Sequence, residues 1–222
     1  MNYIRTTGFE GVFLCGMKLL DHALITALVE RWRPETHTFH LPIGEVTVTL
    51  QDVEVMWGLQ INGDAVTGKE QKWDYQKMHE MCLELLGFST LPDHFKKAQL
   101  RVKFLRGMLQ TALPDDASDE QCIQRAWAYI LLLFAGVLFP DTSENLVHMN
   151  FLSLLEDFDR CSRLSLYRNL CKASLNGATI IAGPLMLLQL WAWCRIRATR
   201  PNFANDGQRS GIPYGVRYII YF

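Results

Sequence analysis

Three features of this 222-residue sequence predict a mainly α (α+β) fold: one multi-helix domain with a small antiparallel β-hairpin near residues 36–50. Apolar residues recur at helical spacing along most of the chain. Period-two alternation is confined to one stretch, and no regular succession of strands and helices announces a parallel sheet. The length suffices for a substantial core, and six tryptophans and twelve phenylalanines predict that aromatic side chains dominate it. No internal repeat or long flexible linker divides the chain, so residues 1–222 read as a single domain.

From the N-terminal side, Asp21 can cap a helix over His22 to Trp32, with Leu24, Ile25, Leu28 and Trp32 at helical spacing and Pro34 ending it. The period then changes. Thr36 to Leu41 and Val46 to Leu50 alternate polar and bulky residues around Pro42-Ile43-Gly44-Glu45, a hairpin with Val46, Val48 and Leu50 on one face. Thr49 and Asp52 have the spacing of a capping box, opening a short helix that Gly58 can close. Asn62-Gly63 marks a tight turn. Gln71 to Leu86 reads as a helix ended by Gly87. Pro92 to Leu109 reads as another, with Phe95, Ala98, Val102, Leu105 and Leu109 along one face. Ser118 can cap a helix running into the most apolar stretch, the fourteen residues Ala126 to Phe139. That stretch is shorter than the ~20 residues of a membrane span, and Asp115, Asp116, Asp119 and Glu120 crowd its start. It predicts a buried core helix and no membrane contact. Phe139-Pro140-Asp141-Thr142-Ser143 breaks the chain. Helices are expected again near Phe151 to Arg160, Leu166 to Ser174 and Pro184 to Ile196.

The net charge of −1 bears on partners. A dedicated nucleic-acid binder carries a basic excess because phosphate contacts drive its affinity, so any such contact here requires a local patch. Two candidates exist. Lys96, Lys97, Arg101, Lys103 and Arg106 fall within the expected Pro92–Leu109 helix. Arg195, Arg197 and Arg200 follow the last helix, where cations also suit a helix C-terminus. Lys97, Arg101, Arg106, Arg195 and Arg197 are therefore the candidate DNA contacts. Trp191 and Trp193 lack interleaved basic residues, so they read as core or partner anchors rather than base-stacking platforms.

Catalytic and cofactor motifs are weak. Gly63 to Lys69 has the spacing GxxxxGK, but Glu70 stands where a phosphate-binding loop needs Ser or Thr for magnesium, and a carboxylate there would repel phosphate. His37 and His40, three apart in a strand, point to opposite faces and have no further ligand at zinc spacing. There is no GxSxG, and no cysteine has a local histidine signature. The six cysteines (Cys15, Cys82, Cys122, Cys161, Cys171, Cys194) form no CxxC pair and predict free thiols in a reducing compartment. No catalytic, cofactor or metal residue is assigned.

The run Leu20-Asp21 and Leu24 to Pro42 resembles the signature of the plant mobile domain family, the MAINTENANCE OF MERISTEMS-like proteins and their transposon-borne relatives. The likeness continues through Gly44-Glu45, Thr47 to Val53, Gly58-Leu59 and Val66-Thr67-Gly68. It resumes at Gly136 to Asp141, Leu154 to Asp157 and Leu187 to Trp193. The chain departs from the pattern by a shortening between Arg160 and Tyr167, by Cys194 after Trp193, and by an end that reads as incomplete. The resemblance implies a nuclear protein acting in meristem maintenance, genome stability and transposable-element silencing, with a phosphatase-like protein partner. Relatives also carry the label "aminotransferase-like", which no residue here supports. The expected role is a non-catalytic protein-interaction or chromatin-associated module. The alternatives are a direct DNA-binding domain of transposon origin and an enzyme whose site assembles only in space.

Overall fold

The computed structural model describes residues 2–16, 19–33, 35–59, 64–65, 72–138, 145–155, 164–165, 185–200 and 213–218. The expected loop residues Gly63 and Val66 to Glu70, the helix at 166–174, Pro34, Cys161 and Cys171 lie outside them.

Helices predominate, as the sequence predicts, and three small sheets sit among them. Two short helices, α1 (Asn2–Thr6) and α2 (Glu10–Cys15), precede Asp21. Asp21 caps α3 (His22–Val29) by accepting from the Leu24 amide at 3.0 Å. The helix ends three residues before Trp32, because Trp32 opens β1 (Trp32–Arg33) and pairs with Phe39, ring centroids 4.8 Å apart. Strand packing of that aromatic outweighs its helical spacing. The hairpin comprises β2 (Thr38–Leu41) and β3 (Gly44–Val46), with Leu41 opposite Gly44. Pro42 and Ile43 form its whole turn, so the second strand begins earlier than the alternation suggests. It also ends earlier, since Thr49 and Asp52 close a reciprocal capping box and draw Leu50 into α4 (Leu50–Trp57). Gly58 closes α4 with φ +68°.

β4 (Asp64–Ala65) pairs in parallel with β8 (Leu164–Ser165). α5 (Tyr75–Leu86) starts later than expected because Asp74 caps it, accepting from the Lys77 amide, and Gly87 ends it at φ +73°. The expected Pro92–Leu109 helix is the main correction. A 3-10 turn at Pro92–His94 leads into the antiparallel pair β5 (Phe95–Lys96) and β6 (Gln99–Arg101), and only Val102–Gln110 is helical (α6). β7 (Leu146–His148) completes that sheet beside β6. Phe95, Leu100 and Val147 bury one face of it, a demand that overrides the helical spacing of Phe95 and Ala98.

Ser118 caps α7 (Asp119–Leu133) in a capping box with Gln121, and a π-helical turn, Phe134–Leu138, prolongs it. The combined twenty residues are long and apolar enough to cross a membrane, longer than the fourteen-residue apolar run. In this fold they form the central core helix. Trp127, Ala128, Ile130, Leu131, Phe134 and Leu138 are buried, with α1, α2, α5, α6 and α8 (Met149–Ser153) packed around them.

α9 (Leu185–Arg195) packs on α3 and α4. Its Gln189, fully buried, accepts from the Asp21 amide at 2.6 Å and donates to the Leu19 carbonyl at 3.2 Å. A buried amide is thereby satisfied at both ends and holds the entry to α3. The 3-10 turn Tyr214–Tyr218 returns to α2 and α4. A Cβ on Gly11 would lie 2.0 Å from the Trp57 carbonyl oxygen and 2.7 Å from Pro213, so glycine is what lets α2, α4 and this returning segment meet.

Candidate interaction surfaces

The structure takes the two predicted tryptophans away from the surface. Trp191 is 1% exposed and stacks near Phe39, centroids 5.4 Å apart, while Trp193 is 7% exposed. They anchor α9 in the core, which corrects the expectation that they touch a partner: so little exposed area offers nothing to dock on. The large apolar side chains that face outward most are Leu19, Ile43, Leu91, Val55 and Leu83.

The arginines after α9 divide. Arg195 pairs with Asp52, Nη2 to Oδ1 2.5 Å and Nε to Oδ1 3.2 Å. The second Asp52 oxygen accepts from the Thr49 amide at 2.9 Å and the Thr49 hydroxyl at 2.8 Å. Burial pushes the Asp52 pKa up, but the bonds from Arg195 and Thr49 outweigh it and leave it below the ordinary 3.8. Asp52 thus serves as helix cap and as tether between α4 and α9. Arg200 donates from Nε to the Trp193 carbonyl at 3.0 Å, satisfying the end of α9. Arg197 is exposed.

The other basic cluster does not lie along one helix. Lys96 sits on β5 and Lys97 at the hairpin turn with φ +55°. Arg101 ends β6, and Lys103 and Arg106 face outward from α6. All five are exposed. The Arg101 Nε donates to the Asp93 carbonyl at 2.9 Å, which fixes the stem of that side chain. Among the described residues none of the five has a carboxylate partner.

Catalytic chemistry finds few assembled groups. His37 has φ +53° and leans toward Trp32, while His40 pairs with Glu45 at 3.1 Å, so the two rings serve separate contacts. No group of three metal-ligating side chains occurs among the described residues. In the GxxxxGK segment, β4 occupies the second and third positions instead of preceding the first glycine as a phosphate-binding loop requires. No local sequence pattern marks the Thr90–His79 pair, hydroxyl to Nδ1 2.9 Å. The Thr90 amide and carbonyl also lie 3.3 Å and 3.1 Å from that nitrogen, so the whole Thr90 backbone is gathered on the ring. Thr90 is 1% exposed, and its carbonyl accepts from the Tyr75 hydroxyl at 2.7 Å. The cluster pins the loop after α5. The Cys82 thiol, wholly buried, has its pKa pushed up to about 12 by desolvation and is inert at neutral pH. Cys15, Cys82, Cys122 and Cys194 are thiols, not joined in disulfides.

The described residues form an α-rich scaffold carrying three small sheets, with Trp57 Nε1 buried and without a hydrogen-bond partner. The chain belongs to the plant mobile domain family, whose pattern it matches over residues 8–219. Over 207 residues it is 44% identical to the serine/threonine-protein phosphatase 7 long form homolog of Arabidopsis thaliana, covering 90% of this chain and 15% of that protein. It is 36% identical to Protein MAIN-LIKE 1 (91% of this chain, 41% of that protein) and 32% identical to Protein MAINTENANCE OF MERISTEMS (90% and 42%), both from Arabidopsis thaliana. The chain therefore spans well under half the length of these relatives. No solved structure matches it.

Proposed function

We propose that this chain is a non-catalytic nuclear interaction module that joins a phosphatase-like protein in meristem maintenance, genome stability and transposable-element silencing. The observation that carries the reading is the recurrence of one unit in unlike settings. The same ~200-residue stretch fills 15% of a relative named as a phosphatase and 42% of one named for meristem maintenance. A unit that stays recognisable while its surroundings change is a portable module. Its presence within the phosphatase-named protein supports a phosphatase-type protein as what the module works with. Anchors for that contact are the exposed apolar side chains, with Leu19 and Ile43 at 83% and 78% exposure.

The test is capture of the tagged chain from plant nuclei, in parallel with Leu19→Glu and Ile43→Glu variants. Recovery of a serine/threonine phosphatase-type protein with the wild type, reduced at least tenfold by one variant that remains folded, is the expected result. A fusion confined to the cytoplasm, or measurable turnover of phospho- or amino-group substrates by the purified chain alone, overturns the reading.

A further inference from the structure

We propose that the β5–β6 hairpin and the outward face of α6 form a binding site for the phosphate backbone of a nucleic acid. From His94 to Pro114 the chain holds five cations and no carboxylate, so the remainder carries −6 against the net −1. Folding keeps this asymmetry at the surface. Phe95 and Leu100 alternate inward, which leaves Lys96 and Arg101 outward, and Lys97 occupies the turn between the strands. α6 continues directly from Arg101. Its apolar side is held by buried Val102 and Leu105, and its outward side presents Lys103, Arg106, Gly107 and Gln110.

Gly107 supplies an independent observation. It lies inside α6, is exposed, and a Cβ built on it would meet nothing within 4 Å. Packing therefore gives no reason for glycine, and a glycine in a helix interior is unfavourable relative to alanine. A bare backbone flanked by Lys103, Arg106 and Gln110 admits the close approach of another chain. The composition of the face selects the partner's chemistry. Protein-docking surfaces centre on exposed aromatic or aliphatic anchors, and no large hydrophobic residue between Pro92 and Thr111 is exposed. Cations, an amide and open backbone suit a polyanion contacted by charge and hydrogen bonds, which is how phosphate is held without reading sequence. The Arg195 cluster lacks this character, since Asp52 and the carbonyls of α9 already engage two of its arginines.

The experiment is fluorescence anisotropy of a labelled duplex of about twenty base pairs, titrated with the chain at salt from about 50 to 300 mM. Expected is a log affinity that falls with log salt at a slope of about −4.5, about 0.9 for each of five cations. The Lys97→Ala/Arg106→Ala double variant reduces that slope by about 2, whereas Arg197→Ala leaves it unchanged. Gly107→Ala raises Tm by about 2 °C and yet weakens binding about fivefold or more. A folded wild type that binds no duplex at about 50 mM salt overturns the proposal. So does a slope that the double variant leaves intact, or a Gly107→Ala protein that binds like wild type. Polyglutamate bound more tightly than the duplex assigns the face to an acidic protein and likewise overturns it.

Discussion

The seam between α4 and α9 and the hairpin leading into α6 are both rich in charge and in large apolar residues, yet they treat charge in opposite ways. At the seam Asp52, Thr49 and Arg195 are tied to one another by hydrogen bonds, Gln189 of α9 is tied to Asp21 and Leu19, and Trp57 and Trp191 are buried. Across the hairpin and α6 five cations face solvent without a carboxylate partner among the described residues, and one of them takes a left-handed backbone conformation. Charge that is paired over a core stabilises the fold. Charge that is left unpaired contributes nothing to stability and is free to serve a ligand. The contrast predicts that substitutions at the seam act on folding, and those at the hairpin on binding.

The largest effect belongs to Trp191→Ala. Removing a side chain that is 1% exposed and packed against Phe39 leaves a cavity between α9 and β2. The expected loss is about 3–5 kcal/mol, read as an earlier midpoint in urea denaturation. A loss under about 1 kcal/mol would mean that the seam is not part of the cooperative core.

Asp52→Ala comes next, at about 2–3 kcal/mol, because the cap at Thr49 and the charge-assisted bonds to Arg195 go together. Arg195→Ala should cost about 1–2 kcal/mol, because it leaves the 4%-exposed Asp52 carboxylate with its Thr49 bonds alone. The pH dependence has a definite sign. Asp52 holds its proton less tightly in the folded chain than in the unfolded one, its pKa lying below 3.8. Its contribution is therefore complete above about pH 5 and is lost as the pH falls through 3.8 and lower. Denaturation midpoints from about pH 6 to 3 should fall less steeply in Asp52→Asn than in the wild type. Parallel curves would show that Asp52 is not depressed.

Much of this seam was legible in the sequence. Asp21, Thr49 with Asp52, Ser118, Gly58 and Gly87 each mark a helix end by local chemistry, and each does so in the structure. Their signals are carried by residues three or four apart, which local geometry alone decides. The hairpin at Phe95–Arg101 was hidden because Phe95, Ala98 and Val102 also fit a helical face, and only β7, some fifty residues later, selects the strand. Trp32 was misplaced for the same reason. Its helical spacing is local, whereas its partner Phe39 lies across a sheet. The basic residues were legible as a cluster, but their separation into engaged and unpaired groups depends on Asp52, 143 positions from Arg195. Gly107 carried a readable signal, a glycine within a periodic helical run.

The smallest effect sharpens the comparison most, because stability and binding should move in opposite directions. Lys97 has φ +55°, a conformation that costs a side-chain-bearing residue about 1 kcal/mol and that glycine adopts freely. Lys97→Gly relieves that strain but makes the unfolded chain more flexible, so the expected net gain is about 0.5 kcal/mol, measured by urea denaturation. The same variant loses a cation at the hairpin turn and should lower the salt slope of duplex binding by about 1. A residue kept where it weakens the fold is explained by what it does outside the fold. If Lys97→Gly destabilised the protein, the lysine stem would have a packing role, and the division between a seam built for stability and a hairpin built for contact would fail at its most exposed point.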